Sequence, residues 1–224
     1  MRVKFLGKRR TTTGHWSETV ILTAMGETDT RQAIKDTALE LLVRRGYRGV
    51  SFGDIATTLG TTRANIHYHF GNKQALVDEV LRDYADATLA ALGEIWSAED
   101  ARLGDKVEAM IGYSRARFRH FNPDGQSGAW SLISRLRQDA DLLSPEGRLT
   151  LDNFGNQLTA TFAGALSLAA RRGELAVNIQ PNDAALLLSV IADNAAPITL
   201  AEGGFERLEG VYRTVRSFIE QRPN

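Results

Sequence analysis

The stretch "SFGDIATTLGTTRANIHYHFGNKQAL", residues 51–76, contains two short segments with the apolar spacing of helices, separated by Gly60. Ser51 and Thr62 each precede one segment, and both are residue types that cap the start of a helix. Gly60 is the residue type that most readily ends a helix in the left-handed conformation. The order predicts two short helices joined by a tight turn, which is the plan of a helix-turn-helix unit.

The second of these helices carries many hydrogen-bonding side chains. At 100° per residue, Ile66 and Phe70 share one face, which we expect to pack inward. The outward face and its flanks carry Arg63, Ala64, Asn65, His67 and Tyr68. In the major groove of DNA, Arg pairs with guanine, Asn pairs with adenine, and small or aromatic groups contact the thymine methyl. The pattern therefore indicates a helix that reads base edges.

Local charge agrees with this interpretation in sign. Lys+Arg and Asp+Glu both number 27, so the net charge of zero indicates no class of partner for the whole chain. Between residues 41 and 77, five cations (Arg44, Arg45, Arg48, Arg63 and Lys73) and Asp54 give +5 − 1 = +4. Lys73 follows the second short helix closely and is placed to meet a phosphate. An ordinary solvated face is the alternative explanation of such a charged patch.

Helical spacing dominates the remainder of the chain, and we expect an all-α fold. Asp29 and Gln32 resemble a capping box at the start of the first helix, and a long amphipathic helix is predicted over residues 72–96. Further helices are predicted near 105–121, 129–142, 145–172, 182–199 and 205–221. Ser144 and Pro145 form a typical helix start, and Gly173 a typical stop. Residues 1–27 are expected to be a disordered basic tail or a mis-assigned start, with translation beginning at Met25.

Composition excludes several functions. The chain has no cysteine, which excludes disulfides, thiolate zinc sites and cysteine nucleophiles and fits a cytoplasmic location. It has no apolar run long enough to span a bilayer, so we expect a soluble protein without a membrane partner. His67 and His69 point in different directions on a helix and cannot hold one metal ion. Without a nucleophile elbow, phosphate loop or metal motif, neither an enzyme nor a bound cofactor is expected.

Residues 28–88 resemble the DNA-binding domain of the TetR family of transcriptional regulators. The matching features are Ile34, Ala38, Leu41, Gly46-Tyr47, Ser51, Ile55-Ala56, Leu59-Gly60, Ile66, the "HYHF" run ending at Phe70, and "NKQAL" at 72–76. His67 stands where the family most often has tyrosine. The resemblance implies an all-helical homodimer, in which a three-helix DNA-binding domain (28–88, helix-turn-helix motif 51–70) precedes a helical ligand-binding and dimerisation domain (89–224).

The resemblance also assigns roles to residues. Carried over by position, the contacts to operator DNA are Thr62, Arg63, Ala64, Asn65, His67, Tyr68 and Lys73. In the second domain, where the resemblance is weak, the apolar candidates for lining an effector cavity are Trp96, Phe118, Phe121, Trp130, Phe154 and Phe162, although residues of this kind are more often ordinary core residues. The last two helices have apolar stripes, and in the family such helices form a four-helix interface between two subunits.

The leading functional hypothesis is a ligand-responsive repressor that binds a palindromic operator as a homodimer. A small-molecule effector of unknown identity would shift the dimer to a conformation whose recognition helices are wrongly spaced. A transcriptional activator or global regulator with the same helix-turn-helix is the close alternative. A helical adaptor without DNA binding and an enzyme are the alternatives from other classes, and the intact set of outward residues at 62–73 argues against the adaptor.

Overall fold

The computed structural model describes residues 18–125 and 128–221, with side chains from residue 29 onward. This part of the chain is helical, as predicted, and contains ten α-helices. They are α1 (Glu18–Arg45), α2 (Phe52–Leu59), α3 (Arg63–Phe70), α4 (Lys73–Ser97), α5 (Leu103–Phe121), α6 (Leu132–Gln138), α7 (Pro145–Arg171), α8 (Pro181–Asp193), α9 (Ala195–Leu200) and α10 (Gly204–Ile219). A 3₁₀ helix at Ala140–Leu142 follows α6. None of the described helices is both long and apolar enough to cross a membrane.

Local capping sets the ends of α2 and α3. The Ser51 hydroxyl accepts a hydrogen bond from the Asp54 amide, and the Asp54 carboxylate accepts one from the Ser51 amide at 2.8 Å, which completes a capping box. Gly60 ends α2 with φ +69°, a left-handed conformation that favours glycine. The Thr62 hydroxyl then accepts from the Asn65 amide and starts α3. The predicted helix-turn-helix is confirmed, including its caps.

Helices α1 to α4 meet around a small apolar core. Ile34 on α1, Ile55 on α2 and Ile66 on α3 are each exposed by 1% or less. Arg31 of α1 ties three helices together, because its guanidinium lies 4.5 Å from the centre of the Phe70 ring of α3 and pairs with Glu79 of α4. The orientation of α3 is therefore set from two sides.

Helix α4 joins this core to the larger one. Its buried side chains run from Leu76 near its start to Trp96 near its end. It packs against α1, α3, α5 and α7, and its contact with α7 runs from Asp78, beside Gly147, to Trp96, beside Phe162. Trp96 meets Phe162 of α7 edge-on, with ring centres 4.7 Å apart. The predicted domain boundary at residue 88 falls inside this continuous helix.

The predicted helix 182–199 is two helices, α8 and α9, which break at Asn194. The cause is Pro197, which has no amide hydrogen to donate to the Asp193 carbonyl four residues earlier and whose ring crowds that carbonyl. The Asp193 carbonyl instead accepts from the Ser134 hydroxyl of α6 at 2.8 Å. A contact from another helix therefore satisfies the group that the proline leaves without a helical partner.

Two other predicted helix boundaries also differ. Helix α1 begins at Glu18, and no proline interrupts residues 18–28, so Asp29 lies inside the helix and does not cap it. The remainder of the predicted tail, residues 1–17, lies outside the described residues. The predicted helix 129–142 is shorter and spans Leu132–Gln138. It ends there because Asp139 leaves helical geometry and its carboxylate accepts a hydrogen bond from the Tyr47 amide at 2.8 Å. The predicted start at Ser144 and Pro145 is confirmed for α7.

The Ser134 contact makes a prediction about stability. Ser134→Ala should lower the free energy of unfolding by about 1–2 kcal/mol, because the Asp193 carbonyl loses its partner in a largely buried position. Urea unfolding followed by circular dichroism measures the change. Ser97→Ala is the matched control, since this serine is exposed in the last turn of α4 and bonds only within its own helix. Equal midpoints for the two variants would contradict the role given to Ser134.

Candidate nucleic-acid interface and internal cavity

Helix α3 presents most of its predicted face to solvent. Ile66 and Phe70 are buried, as the helical spacing predicts. Thr62, Arg63, Ala64, His67 and Tyr68 are exposed, and Tyr68 is 74% exposed. An exposed tyrosine presents both an apolar ring and a hydroxyl group to a partner. Helix α3 is thus anchored by its buried face and exposes the opposite face to solvent.

Asn65 is less exposed than the helical spacing predicts. It is half-buried, and its Nδ2 donates to the Thr61 Oγ1 at 3.0 Å. Side chains in a helix lean toward its N-terminus, so a residue in the first turn readily reaches the chain just before the helix. In this structure Asn65 fastens the start of α3, and a contact with adenine requires it to leave Thr61.

Lys73 also has a partner within the protein. Its Nζ lies 4.1 Å from the centre of the Tyr47 ring and donates to the Tyr47 carbonyl. Burial lowers the pKa of Lys73 from its ordinary value. Its position just after α3 predicts closeness to a phosphate, but the fold places Tyr47 there too. Lys73 therefore joins the end of α1 to the start of α4.

Arg63 extends along α2. A side-chain carbon added at Gly53 would lie 2.5 Å from a guanidinium nitrogen of Arg63, so the glycine makes room for this arginine. Arg45, Thr57 and Thr58 line the same open cleft. The sequence pattern did not indicate these three residues as DNA contacts. The glycine in the first turn of α2 is the one signal there that favours a long side chain crossing the helix.

The local charge of +4 is reduced by pairing. Arg48 lies 3.3 Å from Asp141 and 4.0 Å from Asp139, both on the segment after α6. Arg45 lies 3.5 Å from Asp54. The charge counted over residues 41–77 does not include the two aspartates after α6 that pair with Arg48. Arg63 forms no ion pair within the described part of the chain, so its charge remains available to a partner.

The two histidines of α3 face different surroundings. His67 is exposed, whereas His69 is half-buried between the rings of Tyr68 and Phe70, with ring centres 5.3 and 6.4 Å away. No group of three or more histidines and carboxylates suited to a metal ion occurs in residues 29–125 or 128–221.

A cavity of about 50 Å³, partly open to the surface and called the internal cavity below, lies in the larger helical core, among α4, α5, α7 and α10. Of the six aromatic candidates, Trp130 and Phe154 line it. Trp96 and Phe162 pack against each other, Phe118 packs on Phe205, and Phe121 meets His120. These four are core residues outside the cavity wall. The sequence pattern did not indicate the polar residues of the wall, which include Arg117 and Tyr212.

Comparison with known proteins agrees with this geometry. The family model of bacterial regulatory proteins, tetR family, matches residues 34–80, which span most of α1, all of α2 and α3, and the start of α4. The repressor KstR2 of Rhodococcus jostii is 33% identical over 87 residues, 38% of this chain and 42% of that protein. The class D tetracycline repressor of Escherichia coli is 36% identical over 72 residues, 30% of this chain and 33% of that protein. The chain thus spans less than half the length of these relatives.

Structural similarity extends further than sequence similarity. A TetR-family transcriptional regulator from Agrobacterium tumefaciens superposes with a TM-score of 0.77 at 20% identity, covering 87% of this chain and 100% of that one. At this identity the likeness concerns the fold. Residues 34–80 form a TetR-family N-terminal domain, and the described chain has the all-helical fold of the TetR regulators.

The contacts of Lys73 predict a structural effect. Lys73→Ala should lower stability by about 1–2 kcal/mol, because it removes both the packing on the Tyr47 ring and the hydrogen bond to the Tyr47 carbonyl. Thermal and urea unfolding measure this loss. Gln74→Ala is the control at the exposed neighbouring position and should change stability by less than about 0.5 kcal/mol. If Lys73→Ala is as stable as the control, the side chain does not hold α1 to α4.

Proposed function

We propose that this protein is a DNA-binding transcriptional regulator, a ligand-responsive repressor that binds a palindromic operator as a homodimer. The observation that carries the proposal is the exposed face of α3, anchored by Ile66 and Phe70 within the TetR-family domain. KstR2 and the tetracycline repressor, which match over this part, are both repressors by name. A regulator of bacterial DNA works in the cytoplasm.

In the proposed complex, α3 enters the major groove. Arg63 and Tyr68 are the best placed to reach base edges, because both are exposed and Arg63 has no competing ion pair in the described protein. Thr62, Ala64 and His67 border the same surface. Asn65 and Lys73 can contact DNA only by giving up their hydrogen bonds to Thr61 and Tyr47. While they keep those bonds, they help to position α3.

A second copy of the chain is the proposed partner along α8 and α10. Leu186, Leu187 and Val190 on α8 are 59%, 44% and 52% exposed, and Phe218 on α10 is 70% exposed. Helices α8 and α10 are in contact with each other. Large exposed apolar surface of this kind marks an interaction site in soluble proteins. Two copies would bury it in a four-helix interface with twofold symmetry.

The effector is proposed to act through the internal cavity and α4. The cavity touches α4 at Tyr84, Thr88 and Leu92, and the start of the same helix packs against α3. A ligand that binds one arrangement of α4 more tightly than another shifts the population of the two. In a dimer, such a shift changes the separation of the two α3 helices and thereby operator affinity.

The α3 assignment predicts a loss of specific binding. Arg63→Ala and Tyr68→Ala should each weaken binding to the DNA upstream of the gene for this chain by about 1–3 kcal/mol per affected base contact. Binding to a scrambled duplex should change less. Electrophoretic mobility shifts over a salt series, with the full chain, measure both.

Arg171→Ala is the control for the loss of a positive charge, because this exposed arginine lies in the last turn of α7, in the larger helical core. It should bind DNA like the unchanged protein. If both α3 variants retain full affinity and sequence preference while folded, α3 is not the recognition helix.

The dimer proposal makes a separate prediction. The unchanged protein should scatter light as about twice the 24.6 kDa of one chain. Leu186→Glu combined with Val190→Glu should give the monomer mass, because two charges would be buried without partners at the interface. Val177→Glu, at a position 92% exposed between α7 and α8, should stay dimeric. A monomeric unchanged protein at micromolar concentration would contradict the proposal.

A further inference from the structure

The wall of the internal cavity combines apolar side chains with a charged one. Most of it is apolar or aromatic, including Met110, Leu158, Trp130 and Phe154. Its one charged side chain is Arg117, and no carboxylate lines it within the described residues. An apolar cavity with a few polar groups is the usual form of a small-molecule site. The charge present at this one is positive.

Arg117 has unused hydrogen-bonding capacity. The side chain is half-buried, with its guanidinium 4.6 Å from the centre of the Tyr84 ring and 5.8 Å from that of Tyr113, and it forms no ion pair in the described protein. By contrast, Arg115 on the same helix pairs with Glu209. A guanidinium carries five N–H donors in a planar fork that matches a carboxylate. Stacking on rings leaves those donors free for one.

The acidic groups near Arg117 have other partners. Asp36 and Asp83 line the outer cleft between α1 and α4, which Arg117 also borders. The Asp83 carboxylate accepts from Lys35 at 2.7 Å, and the Asp36 carboxylate accepts from Gln32 at 2.8 Å. Neither aspartate lines the internal cavity. Arg117 therefore borders two spaces. In the outer cleft the carboxylates already accept hydrogen bonds from other residues, and the internal cavity is lined by no carboxylate of the described residues.

Tyr212 supplies a second unsatisfied group in the same wall. It is 1% exposed, and its hydroxyl has no hydrogen-bond partner. Burial, with a smaller contribution from the Asp193 carboxylate, raises the pKa of Tyr212, so the hydroxyl stays neutral and can donate. Asp193 itself pairs with Arg137 at 3.2 Å. A buried hydroxyl without a partner costs stability unless a ligand satisfies it.

We infer, on the basis of the proposed function, that the effector of this regulator is a small aromatic monocarboxylate. Its carboxylate binds the Arg117 guanidinium, its ring lies among the cavity aromatics Trp130 and Phe154, and an acceptor atom receives the Tyr212 hydroxyl. The present volume of about 50 Å³ is smaller than a ring with a carboxylate, so binding expands the cavity. A long-chain acid would demand a larger expansion than a flat ring.

The same contacts disfavour other ligand classes. An organic cation would face Arg117 as a like charge, and the Tyr84 ring that could receive it already carries this guanidinium. A neutral acceptor gains a weaker hydrogen bond from Arg117 than a carboxylate does. A carboxylate instead accepts from the free donors of Arg117, which stacks on Tyr84 of α4, and α4 leads to the DNA-binding helices.

The test compares probes of similar size and different charge on the full chain. Benzoate and phenylacetate, neutral benzyl alcohol and cationic benzyltrimethylammonium are titrated by calorimetry. At least one carboxylate should bind with Kd below about 1 mM and at least about tenfold more tightly than the neutral and cationic probes. Failure of both carboxylates to bind, or tighter binding of the cation, overturns the inference.

Variants then locate the contacts. Arg117→Gln should weaken carboxylate binding about tenfold or more without changing the affinity for benzyl alcohol. Tyr212→Phe should weaken it about three- to tenfold and leave the melting temperature equal or higher, because no internal hydrogen bond is lost. Arg119→Gln, an exposed arginine on α5 outside the cavity wall, is the control and should bind like the unchanged protein.

If Arg117→Gln and Arg119→Gln bind the carboxylate equally, the inference is wrong, and melting curves confirm that both are folded. DNA binding of the ligand-free protein is measured on the same preparation. DNA binding without preference for a carboxylate defeats the ligand assignment alone. Carboxylate binding through Arg117 without any DNA binding defeats the proposed function alone.

Discussion

The burial of α4 against two sets of helices is the constraint on which the rest of the structure depends. It packs against α1 and α3 in the smaller core and against α7 and α5 in the larger one. Burying one apolar stripe along its length lowers the free energy of both cores. A movement at Trp96 or Leu92 therefore cannot be confined to one end, because the same rigid helix carries the contacts at Leu76 and Val77. This mechanical continuity gives the proposed effector a physical route to α3.

Helix α3 illustrates how a short element depends on its surroundings. Eight residues are too few for a stable isolated helix in water. The Thr62 cap, the buried Ile66 and Phe70, and Arg31 stacked on Phe70 compensate for this. Because these interactions involve the buried face and the N-terminal cap of α3, its exposed face remains free for polar and aromatic residues. The same arrangement explains why Asn65, in the capped first turn, is partly committed to the protein.

Much of the fold could be predicted from the sequence, since helix ends depend on local chemistry. Ser51, Gly60, Thr62 and Ser144 act through atoms within a few residues of themselves, and all four take the predicted roles. Predicted helix ends failed for two reasons: a distant residue competed for a group, or the apolar pattern obscured a local signal. Asp139 turns away from α6 toward the Tyr47 amide, and α8 ends before Asn194 although its apolar spacing continues; there Pro197 breaks the helix, a local signal that the apolar pattern obscured.

The sequence by itself determined the helical class, the helix-turn-helix and its exposed face, because periodicity, caps and anchors are properties of neighbouring residues. Only the tertiary structure decided which charges remain available and which polar groups share a cavity. Arg48 is neutralised by aspartates that lie about ninety residues away in sequence, whereas Arg63 is left without an ion pair in the described chain. Arg117 and Tyr212, on α5 and α10, meet in one cavity wall. Electrostatic pairing and desolvation depend on distance in space, which spacing along the chain does not encode.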